Sequence, residues 1–377
     1  MKIIVVFSRI LTGLVFVFSG FVKAIDPVGT QIKFSDYFEA MGLAFLMPYA
    51  LIFSFLLNAA ELTVGLMLLF NVFSKFASWA ALFFLILFTP LTLWLAIANP
   101  VSDCGCFGDA VKFTNWQTFW KNVILLIFIL IIFVFRKKYG TDLKGKKTLI
   151  HFSLFVLFSF AFQFYNFYNL PIIDFRPLKE GTNITDAVNY PPDAEKDVYE
   201  TVICYKNLKT GNSKAFDINN IPYKDTLNWV YDTTMTKLIK KGYEPPVHDF
   251  FLSNLNGRDI TEDILNDKRI SCILIIPDFE KGIKRIKNSK RKLADIAFYT
   301  DYNHFKFYCF TSSETLVIKQ YKNSLPSYMQ ILTGDYKMLK TFIRSNPGFV
   351  ILKDGIILKK YHYLNIPDVN TIKKLNQ

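Results

Sequence analysis

The chain has 377 residues, of which 51% are hydrophobic and 39 are Phe, with a formal net charge of +13. That length holds two or three domains. The positive charge gathers in part near residues 136–147 and in part over 281–292, and neither cluster reads as a nucleic-acid footprint. Composition changes at Leu170-Pro171, from Leu, Ile, Val and Phe with clustered charges to an ordinary mixture of charged, aromatic and β-branched residues.

The first apolar run, residues 3–25, is long enough to cross a bilayer. A cleavable signal peptide is the rival reading, since Val22-Lys23-Ala24 resembles a cleavage site, but Arg9 interrupts the apolar core such a peptide needs. Asp26-Pro27-Val28-Gly29 reads as a turn at the outer surface. Further runs at 44–72, 76–99, 116–135 and 148–168 bring the expected spans to five. Between the third and fourth lies Asp103-Cys104-Gly105-Cys106-Phe107-Gly108. Two thiols one residue apart suggest redox or soft-metal chemistry. A Cys-X-Cys disulfide closes a small strained ring, and strained disulfides are the more oxidising ones. A permanent structural disulfide in a tight loop is the plainer alternative. Trp116, Trp120 and Lys121 suit the outer interface of the fourth span, where aromatic rings and snorkelling lysines settle.

Orientation follows from basic residues, which favour the cytoplasm. Arg136, Lys137, Lys138, Lys144, Lys146 and Lys147 place the loop between spans four and five inside, together with the N-terminus. The cysteine loop and everything after Pro171 then face outside, where disulfides persist. Charges inside a span are costly and face the bundle interior. An Arg9–Glu61 pair would let both be buried, with Gly13, Gly20 and Gly65 allowing close helix approach. Lys23 falls on the same face as Arg9. Such a pair reads as a structural register device or as part of a proton path beside a quinone.

Arg9, Ser19-Gly20-Phe21-Val22-Lys23, Asp26-Pro27, Glu61, Gly65, the cysteine loop and Thr118-Phe119-Trp120-Lys121-Asn122 together resemble the DoxX/MauE family of bacterial membrane proteins, over roughly the first 140 residues. The resemblance implies a four-helix inner-membrane unit linked to disulfide or quinone redox metabolism, methylamine utilisation among its contexts. A fifth span and a large outer domain depart from that pattern.

In the outer part, residues 198–218 alternate around Lys209-Thr210-Gly211 and predict a β-hairpin. Tyr243-Glu244-Pro245-Pro246-Val247-His248-Asp249-Phe250 and Asp259-Ile260-Thr261 read as lead-in segments. A buried strand over 271–276, a helix from 281 whose basic face reads as solvated or as contacting anionic membrane lipid, and a strand over 305–310 follow. Next come a helix from 313, a strand near 329, a helix around 336–343 and a final hairpin after Asn346-Pro347-Gly348. This order resembles the thioredoxin fold over residues 247–366. The resemblance implies that Pro347 is cis and borders a substrate groove. Thioredoxins carry Cys-X-X-Cys where the first of these strands meets its helix, to depress a thiol pKa there. Here that junction is Pro277-Asp278-Phe279-Glu280, so the domain cannot run dithiol exchange alone. Cys204, Cys272 and Cys309 read as buried, inert thiols.

The fold class expected is thus a polytopic helical membrane domain followed by an α/β thioredoxin-like extracytoplasmic domain. Its parts are a membrane unit (1–140), a basic loop and fifth span (141–170), a linker and hairpin region (171–246) and the thioredoxin-like domain (247–377). The function expected is thiol–disulfide or quinone-linked redox work at Cys104 and Cys106, on an exported protein or a thioredoxin-like partner. A non-catalytic, membrane-anchored client-binding protein is the alternative. A thiolate pair also suits Cu(I), but no further Cys or Met stands beside the loop. The 4 His are too few and scattered for a metal site.

Overall fold

The computed structural model describes every residue except 102, 140–145, 192, 218–219, 241, 244, 248–249 and 377. Lys144 of the basic loop and Glu244, His248 and Asp249 of the lead-in segment lie outside the described residues.

Helix α1 (Lys2–Ile25) runs to Asp26, where the chain turns into a second helix, α2 (Pro27–Ala40). The sequence reading took this segment for a plain turn. Asp26 instead caps the helix, accepting the Gly29 N–H at 2.9 Å, with Pro27 in the first turn where a missing N–H costs nothing. A short 3-10 turn then leads into α3 (Ala50–Phe70), followed by α4 (Ser74–Ala98), α5 (Asn115–Tyr139) and α6 (Lys146–Tyr168). Five stretches are long and apolar enough to span a membrane: Lys2–Ile25, Ala44–Phe70, Ser74–Ala98, Asn115–Lys138 and Lys146–Tyr168. Their outward faces carry exposed Phe7, Leu14, Ile52, Phe83, Ile127 and Leu157, as a lipid-facing surface requires.

Helices α1 and α3 pack backbone to backbone. A Cβ at Gly20 would stand 2.5 Å from the Leu62 nitrogen, and one at Gly65 would stand 2.5 Å from the Val17 nitrogen. Small residues at these two positions let the helices meet, as in other membrane bundles. The outer end of α1 is fastened from α3 as well, for Asn58 donates to the Lys23 carbonyl at 3.0 Å and Ser54 to the Pro27 carbonyl at 2.6 Å.

After α7 (Ile184–Val188) come β1 (Val198–Asn207), β2 (Ser213–Asp217) and β3 (Trp229–Lys240), an antiparallel sheet of order β2-β1-β3. The expected hairpin is its first two strands. The third was not anticipated, because residues 230–236 mix apolar, polar and charged side chains that are all exposed.

The last region holds β4 (Ser253–Asn254), α8 (Thr261–Leu265), β5 (Ile270–Ile275), α9 (Phe279–Ile286), α10 (Lys290–Tyr302), β6 (Lys306–Thr311) and α11 (Thr315–Tyr321). It closes with β7 (Gln330–Thr333), α12 (Tyr336–Phe342), β8 (Gly348–Lys353), β9 (Ile356–His362) and α13 (Val369–Asn376). Its six strands lie in the order β4-β7-β6-β5-β8-β9, with β5, β6 and β7 parallel and the β8–β9 hairpin antiparallel to β5. A parallel strand–helix–strand unit followed by an antiparallel hairpin and a closing helix is thioredoxin-like connectivity. Apolar cores cover both faces, one around Ile273, Phe310 and Phe342, the other around Leu274, Phe279 and Phe349. Burying each of these side chains contributes roughly 1.5–3 kcal/mol. Leu178, Ile184 and Ala187, placed in the linker by composition, belong to the first of these cores. The basic helix expected from residue 281 is two helices broken by a 3-10 turn at Lys287–Ser289, with Ile283, Ile286 and Leu293 buried beneath the basic residues.

Candidate functional site

The cysteine loop joins the C-terminal end of α4 to the N-terminal end of α5. Gly105 adopts φ +63°, in the left-handed region that favours glycine, and this folds Cys104 and Cys106 back toward each other. The Gly105 N–H donates to Asp103 Oδ1 at 2.9 Å, and the Cys106 N–H points at Cys104 Sγ, 3.3 Å away. Cys104 is buried, with its sulfur 3.2 Å from Thr118 Oγ1 on α5, while Cys106 keeps part of its surface open. Neither is in a disulfide, and the two side chains are in hydrogen-bonding reach of each other.

Other elements hold this turn in place. Tyr37, on the unforeseen α2, donates to the Cys104 carbonyl, and Lys33 on the same helix pairs with Asp103 at 2.8 Å. Burial and the surrounding thiols and carboxylates push the Tyr37 phenol well above its ordinary pKa, so it remains a donor. From α1, Ser19 Oγ lies 2.8 Å from the Cys106 carbonyl and 3.0 Å from Glu61 Oε2.

Glu61 does not pair with Arg9. Its Oε2 lies 2.5 Å from Lys23 Nζ, with both side chains buried. Arg9 lies close to four turns before Lys23 along α1, too far to reach the same carboxylate. Its Nη1 meets no hydrogen-bond partner among the described residues. The Lys23–Glu61 pair thus sits beside the cysteine turn, near the C-terminal end of α1, with Ser19 bridging Glu61 and the Cys106 carbonyl. Lys121 departs from expectation too. Its ammonium stands 4.5 Å from the centre of the Phe107 ring and lines the cavity beside Cys106, whereas its neighbours Trp116 and Trp120 are exposed as expected.

This surrounding splits the two thiols. The hydrogen bond from Cys104, then the positive charges of Lys121 and Lys23, outweigh burial and Glu61 and draw Cys106 below the ordinary thiol range. Donating that bond, burial and the adjacent Cys106 charge push Cys104 well upward. The pair is therefore asymmetric, with Cys106 the more acidic thiol and Cys104 the one that holds its proton.

Two cavities meet at the turn. An inner one of about 100 Å³ runs among α1, α3, α4 and α5, with Phe16, Leu57, Leu85, Phe88 and Leu95 among its apolar walls and Cys104, Cys106, Lys23 and Lys121 at its polar end. An outer, more polar cleft of about 370 Å³ separates the loop from the C-terminal domain. Gly105, Lys23, Thr30 and Lys33 border both. Gly105 is where the turn borders both spaces, while Cys104 and Cys106 line the apolar one.

Across the cleft the C-terminal domain presents the end of its sheet where β5 and β8 meet α9. The Asn346–Pro347 peptide is cis, and Pro347 directly precedes β8. Three residues earlier, Arg344 Nη2 pairs with Asp26 at 2.7 Å and reaches Asp109 at 3.6 Å, while Lys337 pairs with Asp36 at 2.7 Å. Burial raises the Asp26 carboxyl, but the charge and hydrogen bonds of Arg344 outweigh it and hold Asp26 below the usual range. These contacts put the domain on the same side of the bundle as the cysteine loop.

Residues 1–135 match the family model described as methylamine utilisation protein MauE, and residues 199–241 match a domain of unknown function. No curated protein matches the chain. Among solved structures, a thioredoxin-like protein from Bacteroides caccae is 10% identical, covering 87% of this chain and 81% of its own, with a TM-score of 0.25. The C-terminal domain of an uncharacterised protein from Bacteroides fragilis is 15% identical, covering 34% of this chain and 91% of its own, with a TM-score of 0.24. The first 135 residues are a MauE domain in a membrane protein, and the six-stranded region that follows has thioredoxin-like connectivity.

Proposed function

We propose that this chain is a thiol–disulfide oxidoreductase of the bacterial inner membrane that oxidises exported proteins at Cys106 and Cys104. The N-terminus and the α5–α6 loop lie in the cytoplasm, and the cysteine turn and C-terminal domain in the periplasm. The observation that carries the reading is the turn itself: an asymmetric dithiol standing between a watery cleft and an apolar chamber.

The direction follows from chemistry. A depressed thiol pKa stabilises the reduced pair, and a Cys-X-Cys ring strains the oxidised one, so the disulfide is a strong oxidant. A client thiolate entering from the cleft attacks the Cys106 sulfur. The Cys104 sulfur leaves and takes up a proton. A second client thiol then attacks the mixed disulfide, giving up its proton and releasing Cys106 as the thiolate. The client loses two electrons and two protons, which the turn retains as a dithiol with one proton passed to solvent or a neighbouring base.

Regenerating the disulfide needs an acceptor of the same two electrons and two protons. A quinone is the class that fits the inner cavity, which is apolar along its length and carries an ammonium group and the thiolate at one end. Its role is to take that electron pair, with one proton from Cys104 and the second from solvent. Lys121 and Lys23 hold negative charge at the polar end, and Ser19 and Tyr37 fix the turn.

Trapping tests the proposal. Cys104→Ser leaves Cys106 without its resolving partner, so the mixed disulfide formed when the Cys106 thiolate attacks the disulfide of an oxidised exported protein should accumulate, visible on non-reducing gels and by mass spectrometry. Absence of any such adduct, with both thiols remaining reduced in cells whatever the quinone supply, would sink it.

A further inference from the structure

Asp26, Asp36 and Asp109 form an acidic rim around the outer cleft, and all three are met by two cations from one short stretch of the C-terminal domain. Asp109 follows Cys106 by three residues, and Gly105 itself borders the cleft that Arg344, Lys337 and Thr341 close from above. The approach from water to Gly105, the middle of the cysteine turn, passes beneath α12.

The contact is of a separable kind. It consists of ion pairs around a wet cleft, not of an apolar core shared between the two parts, and polar interfaces of this sort are the ones that open. Removing one partner of a buried pair strands a charge, which is costly. Moving the whole domain away returns both partners to water and strands none.

Resting on the oxidoreductase reading above, we propose that the acidic rim of Asp26, Asp36 and Asp109 is the docking surface for client proteins, that these clients present a basic patch beside their thiols, and that the C-terminal domain occupies this surface in the resting state with Arg344 and Lys337. The domain lacks cysteines at Pro277-Asp278-Phe279-Glu280 and cannot itself exchange with the turn. It caps the dithiol and is displaced by clients whose cations compete for the same carboxylates. Uncommitted thiols are thereby kept from an oxidant at the membrane surface.

The test uses the full chain in membranes and reads alkylation at Cys106 by peptide mass spectrometry, with N-ethylmaleimide as the small reagent and a polyethylene-glycol maleimide as the bulky one. Arg344→Gln with Lys337→Gln should raise the bulky reagent's rate at least about tenfold while leaving the small reagent's rate within about twofold. Lys337→Asp should raise it in part, and adding Asp36→Lys should bring it back, a surface exchange that does not depend on the buried Arg344 folding correctly. A Lys-rich peptide with one cysteine should form a mixed disulfide with the oxidised protein faster than its Glu-rich counterpart, with the advantage shrinking as salt rises. Bulky-reagent rates unchanged in every variant, or equal rates for the two peptides, would overturn the proposal. Failure of the underlying redox reading looks different: Cys106 would then lack thiolate-like reactivity toward the small reagent in every variant, capped or open.

Discussion

Two pairs of buried cysteines in this protein have opposite chemistry. Cys272 and Cys309 stand on neighbouring strands of the six-stranded sheet, fully enclosed by Leu274, Phe307 and Phe349. With no charge nearby, burial alone pushes Cys272 up to about 12 and Cys309 higher still. In the register of the sheet Cys272 lies opposite Phe307 and Cys309 opposite Leu274, so the two are not cross-strand partners. Cys104 and Cys106 are also withdrawn from water, yet one of them is drawn down, because its sister thiol and two ammonium groups favour the charged form. Enclosure does not decide whether a thiol is inert. The charges enclosed with it do.

The comparison can be broken most severely at Cys106. Cys106→Ser should lower client oxidation about 100-fold or more, measured as disulfide formation in exported proteins, since no other described thiol shares its surroundings. Glu61→Ala should come next. It leaves Lys23 buried without a partner and should cost about 3–5 kcal/mol, read as a fall in thermal stability in detergent. The double change Lys23→Met with Glu61→Leu should be near neutral in stability and should move the pH at which Cys106 becomes reactive only slightly, because the carboxylate that opposes the thiolate goes together with a cation that favours it.

Lys121→Met sharpens the same point without touching the ion pair. Cys106 alkylation should acquire a midpoint nearer the ordinary thiol value, slowing the reaction at neutral pH by roughly tenfold. The sign is fixed by the loss of a positive charge, which penalises the thiolate. The smallest effect should come from Cys272→Ala, about 1–2 kcal/mol of stability from a lost core side chain, with client oxidation unchanged. A redox phenotype for that variant would erase the distinction between the two pairs.

Much of this was legible in the sequence, and the parts that were not share a cause. Five spans, the cysteine turn and the order of the sheet follow from apolar runs and alternation, which are local signals. Lys23, Glu61, Ser19 and Asn122 were recognisable because they accompany the cysteine motif in a family pattern. The Arg9–Glu61 pairing failed because burying a carboxylate demands some cation, and sequence offered two candidates four turns apart on one helix. Lys121 was read by its neighbours Trp116 and Trp120, yet a lysine one residue past an interface tryptophan faces a different direction on the helix. Helix α2 was hidden because Lys33, Tyr37 and their neighbours show no strong apolar periodicity. The signal that would have found it is the Asp26-Pro27 start, a cap followed by proline. Nothing local announces that Arg344 will meet Asp26, since that contact joins residues 318 positions apart.

The cysteine turn has a kinetic corollary. Client and acceptor act on one and the same pair of sulfurs, so the first must leave the pair reduced before the second can oxidise it. Initial rates measured at several fixed concentrations of the second substrate should therefore give parallel double-reciprocal lines. The protein would alternate between its two oxidation levels like a shuttle with a single seat, loaded on one bank and emptied on the other.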